Sequence, residues 1–275
     1  MSLSLYASVL RLARVGFLAW AVVFILFALL MVYVYPSVRD SVALETYLSS
    51  LPEEMLIAIG AGDASTLDFV FSDGSFDFRA WISIEFLGSW PVMVGIYAVV
   101  YASGLVSREV ERGTLDLLLS QPLDRSKFLL SKFTAFATLV LGIGAISYLS
   151  ILAAASFLDV TMSAWYLLEV HIMGVLLVLT IAAYSTLASC LFLDPRKSLA
   201  VAGIVTVVFY FLNILAPTLD SVSWLQKVSL FYHYNSLATL FTGKLSWAGI
   251  GVYLGVLLGA LGISLAVFQR RDILK

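Results

Sequence analysis

Apolar residues run without a single Asp, Glu, Lys or Arg through six stretches of this chain, near residues 15–35, 87–106, 134–158, 170–193, 198–219 and 245–268. Each is close to or above the roughly 20 residues a helix needs to cross a hydrocarbon core. Backbone N–H and C=O groups have no water to bond there, and a helix satisfies them within one segment. The pattern therefore predicts an all-α integral membrane protein, a bundle of six transmembrane helices in one transmembrane domain spanning the whole chain.

Composition agrees with the pattern. Of the 275 residues 61% are hydrophobic and only 12% charged, and the mean hydropathy is +0.99; a soluble domain of this size needs more surface charge. The few charges are unevenly placed. Lys and Arg are retained on the cytoplasmic side, and an N-terminus inside puts Arg11, Arg14, Arg108, Arg112, Arg125, Lys127, Lys132, Arg196, Lys197, Arg270, Arg271 and Lys275 there, 12 of the 16 basic residues. Both termini are thereby expected to be cytoplasmic, in a multi-pass protein of the cell membrane. The run after Arg14 is longer than a leader core and no small-x-small cleavage pattern follows it, so the first span is expected to be a retained helix.

The outer segment 36–86 is long and acidic. Ser50 and Glu53 have the spacing of a capping box, and Met55, Leu56 and Ile59 share one face before Gly60, which predicts a short surface helix. Asp63, Asp68, Asp73 and Asp77 lack the spacing of a calcium loop and read as solvated acids. The last outer loop, 220–244, is rich in Trp224, Phe231, Tyr232, Tyr234 and Phe241, as befits an interfacial or re-entrant helix or an outer gate.

Little chemistry is carried inside the spans. Glu85, Glu169, His171 and Asp194 fall near span ends, leaving Asn213 as the one mid-membrane amide, and a proton-coupled carrier would need a buried relay. Glu169 and His171 lack zinc-ligand spacing, no nucleophile elbow occurs, and Lys244 is not preceded or followed by the residues of a phosphate-binding loop. The lone Cys190 permits no disulfide within the chain. No catalysis and no cofactor are expected in this chain. Gly251, Gly255 and Gly259 recur every four residues and offer a close-packing face, inside the bundle or toward a second copy.

The exception to this apolar monotony is the insert 107–127. Residues 107–112 extend the second span, with Glu109 and Arg112 spaced to pair at i, i+3. Gly113 allows a sharp turn, Thr114 is placed as an N-cap, and Leu115, Leu118 and Leu119 share a face with Asp116 in the first turn. Pro122 ends the element and Asp124 is placed to cap the next span. A short helix lying across the inner surface is predicted.

The run Glu111-Arg112-Gly113-Thr114-Leu115-Asp116 through Pro122, followed by Asp124-Arg125-Ser126-Lys127, resembles the permease subunits of ATP-binding cassette transporters of the type 2 exporter class. Weaker likenesses lie in the six spans, the acidic outer loop, the segment 231–236 and the end 268–273. The resemblance implies that segment 107–132 is a coupling element docked on a separate cytoplasmic ATPase, with Glu111, Gly113, Thr114, Leu115, Asp116, Leu118 and Pro122 forming the contact and Arg14 flanking it. It also implies ATP and Mg on that partner, a second permease copy or related permease, and export as the direction. The lipid bilayer is a further expected partner, and nucleic acid is not. A membrane-embedded scaffold or sensor, and a secondary transporter, are the competing classes.

Overall fold

The computed structural model describes residues 2–41, 46–47, 50–51, 55, 70–72, 75–114 and 124–271. The chain opens with α1 (Leu3–Arg39), and a minimal antiparallel pairing of β1 (Phe71–Ser72) with β2 (Ser75–Phe76) follows, Phe71 opposite Phe76. The second span, Phe78–Glu111, is composite: α2 (Phe78–Trp81), a π-helical turn Ile82–Leu87, α3 (Trp90–Ala102) and α4 (Ser107–Glu111). Then come α5 (Arg125–Phe157), α6 (Ala164–Phe192), α7 (Pro195–Leu215), α8 (Ser236–Thr242) and α9 (Trp247–Arg270). Among the described residues six helices are long and apolar enough to cross a membrane, so the six-helix all-α bundle read from the sequence is present.

The helices outrun the apolar stretches. α1 starts at Leu3 and carries Arg11 and Arg14 within it, because a helix continues through charged residues whose stems can lie along apolar surface. The second span begins at Phe78, so Asp77 is its N-cap, accepting from the Arg79 N–H at 2.7 Å, and Glu85 lies on the helix instead of in the loop. Asp77 also pairs with Arg79 at 2.8 Å and is a structural acid, not a solvated one. Of the expected surface helix, Glu53, Leu56, Ile59 and Gly60 lie outside the described residues, as do Asp63, Asp68 and Asp73.

α6 is the axis of the bundle. Two-thirds of its apolar window, 67%, is buried, against 11% for the fifth span, and it packs on α3, α5, α7, α8 and α9. Its sequence suits this place, being apolar on every side, with hydroxyls that bond within the helix. Thr180, Ser185 and Thr186 each donate to the carbonyl four residues back, at 2.8, 2.7 and 2.8 Å, which disposes of their polarity in an apolar setting. The helix ends at Leu193 in the left-handed conformation (φ 54°), and Asp194 immediately caps α7 by accepting from the Arg196 and Lys197 N–H groups at 2.8 and 3.0 Å. Those backbone bonds, Lys197 first, hold the Asp194 carboxyl below the usual carboxylate range.

The aromatic segment before α9 folds back onto the bundle. The Tyr234 hydroxyl donates to the Leu87 carbonyl at 2.9 Å, Ser236 Oγ to the Ser83 carbonyl at 3.2 Å, and the Tyr253 hydroxyl to the Leu230 carbonyl at 3.0 Å. Phe231 is buried and α8 lies against the π-helical turn. These side chains serve as internal clamps.

The second span breaks at 103–106, where the helical ladder is interrupted inside the bundle. Ser189 of α6 repairs it from outside: its Oγ accepts from the N–H groups of Val106 and Ser107, both at 3.0 Å, and donates to Ser107 Oγ at 3.2 Å, which in turn donates to the Ser103 carbonyl at 2.8 Å. All three serines are essentially fully buried. Replacing Ser189 by Ala removes the acceptor from two buried amides and should cost roughly 1–2 kcal/mol. Thermal unfolding in detergent should show a lowered midpoint; a wild-type midpoint would mean that the break does not depend on this hydroxyl.

Candidate functional site

The ends of the helices that carry the basic residues meet at one end of the bundle. Ser2 N–H donates to Ser131 Oγ at 2.7 Å, drawing the start of α1 onto α5. Arg125 Nη1 donates to the carbonyls of Phe268 and Arg271 at 3.1 and 2.6 Å, while Arg271 Nη1 donates to those of Cys190, at 2.9 Å, and Leu191. Carbonyls at the end of a helix lack intrahelical partners, and two arginines thereby stitch α5, α6 and α9 together.

Over this end stands the turn that follows the second span. Gly113 adopts φ 66°, a conformation that a residue without Cβ takes at no steric cost. Glu109 does not pair with Arg112 as the local spacing predicts. Its Oε1 accepts from Lys132 Nζ at 2.6 Å, and Lys132 also donates to the Leu105 carbonyl at 3.1 Å and lies 4.8 Å from the Phe128 ring. The reason is burial: Lys132 is 9% exposed and needs a counter-charge, whereas Arg112 faces outward. Thr114 is also turned back, its hydroxyl donating to the other Glu109 oxygen and, at 3.3 Å, to the Glu109 carbonyl, so that it closes the preceding turn instead of displaying a free cap.

The result is a segment pinned at its root. Glu111, Arg112 and Gly113 are exposed at the tip while Glu109 below them is locked to α5. The remaining expected contact residues, Leu115, Asp116, Leu118 and Pro122, lie outside the described residues. Asp124 stands at the N-cap of α5, but its side chain bonds Lys127 at 2.7 Å and makes no capping hydrogen bond; that lysine holds its carboxyl below the usual range. Arg14 is exposed on α1.

Two polar groups near a span end are buried. Because α6 starts at Ala164, Glu169 and His171 lie in its second turn, 9% and 5% exposed. His171 Nδ1 donates to the Leu167 carbonyl at 2.8 Å, leaving Nε2 to Ser147 Oγ at 3.2 Å, with Trp90 and Tyr148 edge-on to the ring. The cue in the sequence is Ser163, whose hydroxyl accepts from the Tyr166 N–H and starts the helix a turn and a half before the apolar run. Asn213 is half-buried on α7, its carbonyl accepting from Gln226 Nε2 at 3.3 Å.

The glycine stripe of α9 faces away from the bundle. Among the described residues no atom lies within 4 Å of where a Cβ would stand at Gly251, Gly255 or Gly259, so the close packing inside the bundle open to this stripe is not made. The buried face of α9 is instead the one through Tyr253, Ala260, Ser264 and Phe268.

The family model described as ABC-2 family transporter protein matches residues 10–273 of the chain. No curated protein matches it.

The buried pair makes a thermodynamic prediction. Lys132→Met leaves the partly buried Glu109 carboxylate without its cation and should cost roughly 1–2 kcal/mol, between the values for exposed and fully buried pairs. Adding Glu109→Gln should recover a substantial part, since it removes the stranded charge. Chemical unfolding in detergent across the four-member cycle measures the coupling; strictly additive losses would rule out the pair as an energetic unit.

Proposed function

The chain belongs to the ABC-2 transporter family, and on that footing we propose that it is the permease subunit of an ATP-binding cassette exporter, forming the substrate path while a separate cytoplasmic ATPase supplies the energy. The single observation that carries the coupling role is the pinned turn at 107–114. A surface that passes on motion must be exposed at its tip and tied firmly at its root, and here Glu111 and Gly113 are exposed while Glu109 is locked to Lys132 on α5. In this reading Glu111, Gly113, Thr114, Leu115, Asp116, Leu118 and Pro122 form the contact, ATP and Mg are bound by the partner, and the basic end with both termini faces the cytoplasm.

The transporter is proposed to hold two permeases and two ATPase subunits. The open face through Gly251, Gly255 and Gly259 supports a second permease at that position, because small residues allow close helix approach and no part of this chain, among the described residues, occupies it. ATP-driven closure of the ATPase pair draws the two coupling segments together and biases the permease pair toward the outward-open arrangement, the differential contact being made at 107–132.

Co-purification in mild detergent tests the assignment. A partner with a Gly-x-x-x-x-Gly-Lys-Ser/Thr loop should accompany the wild-type chain, and Glu111→Ala with Leu118→Ala should reduce its recovery by about tenfold while membrane insertion is unchanged. Equal recovery with the double variant would remove the coupling role from this segment.

A further inference from the structure

Beside the pinned turn, between α1 and the end of the second span, lies a cavity of about 260 Å³. Its α1 wall is apolar, made by Val9, Leu12 and Ala13, and Leu105 continues it on the opposite side. Leu12 is 83% exposed, so this wall runs out onto the outer flank of the bundle, one turn before the apolar stretch of the first span. The far side is charged: Arg108, Arg112 and Lys132 line it with Glu109 as the one carboxylate.

Glu109 is committed to Lys132 and Thr114. Among the described residues neither Arg108 nor Arg112 has a carboxylate within ion-pair distance. Arg108 is the more telling of the two. Its side chain does not extend out past the helix end but doubles back along the span, Nη2 donating to the carbonyl of Val100 at 3.0 Å. Gly104 makes room for it: a Cβ there would collide with Arg108 Nε and Cδ. A guanidinium has five N–H donors and keeps its charge in any protein setting. Folded back against the outside of the span with one carbonyl as its acceptor, it keeps most of its donors free for an anion.

We infer that this cavity binds the phosphate of an anionic membrane lipid, the phosphodiester lying between Arg108 and Arg112 and an acyl chain following Val9 and Leu12 toward the bilayer. Charge complementarity argues for the phosphate, since guanidinium forks match its oxygens in geometry and sign. The apolar wall continuous with the lipid face argues for a lipid over a soluble ion. The basic end of the bundle is the end at which anionic lipids gather. This site adjoins the proposed coupling contact, with Arg112 between Glu111 and Gly113, but does not rest on that reading: it is tested by binding to the isolated chain.

The full-length chain, purified in detergent, is titrated with phosphatidylglycerol and phosphatidylcholine and the bound lipid counted by native mass spectrometry. Wild type should prefer phosphatidylglycerol by at least about tenfold. Arg108→Gln and Arg112→Gln should each abolish most of that preference. Gly104→Ala, which keeps both charges but displaces the Arg108 side chain, should weaken it too. Arg112 is exposed, so its variant retains the fold and gives a result even if Arg108→Gln does not express. Undiminished preference in Arg112→Gln overturns the site. Displacement of the lipid by inorganic phosphate at equal concentration overturns the lipid assignment in favour of a soluble anion, and indifference to phosphate supports it.

Discussion

Every backbone amide and carbonyl in this molecule that lies at membrane depth must be paired by the protein, because hydrocarbon offers no substitute. Most of the structure follows from that obligation. Long helices meet it internally, and the interest lies where they cannot. At the break in the second span Ser189 supplies the missing acceptor. At the π-helical turn, where the ladder is rephased, Tyr234 and Ser236 cover the carbonyls of Leu87 and Ser83. At the basic end Arg125 and Arg271 cover the last carbonyls of α9 and α6. These bonds all cross between elements, so the places where helices are imperfect are also the places where the bundle is joined.

The six spans were legible because the exclusion of charge from a hydrocarbon core is a strong local signal, readable from each segment alone. Their ends were not, because helices persist beyond the apolar run: α1 through Arg11 and Arg14, the second span from Phe78, α6 from Ala164. The last of these puts a helical turn ahead of Glu169 and His171, where they are buried. At the charged insert the turn at Gly113 was legible from the residue type, and the partner of Glu109 was not. Arg112 is nearby in sequence, yet desolvation of Lys132, 23 residues away, decides the pairing. Nothing in an isolated sequence records which cation will be buried. Ser189 was invisible for a related reason, since a serine in an apolar helix is commonplace and its value here is conferred by a break in another segment.

Buried and exposed charge are sorted at the basic end by function as much as by solvation. Glu109 and Lys132 neutralise each other beneath the turn and fix its root. Glu111 and Arg112 stay outside, exposed at the tip. The α9 stripe is the counterpart in the spans, three glycines with no neighbour against them among the described residues.

The break at 103–106 has a mechanical meaning. An unbroken second span would act as a push-rod, carrying a displacement at 107–111 straight along its axis to Trp90 at the other end. With the ladder interrupted, α4 and α3 are tied by side chains, Ser107 Oγ to the Ser103 carbonyl and Arg108 to that of Val100, and further connections leave sideways: through Lys132 into α5 and through Ser189 into α6. A load applied at the tip is thus diverted onto the central helix and its neighbour, which touch most of the bundle.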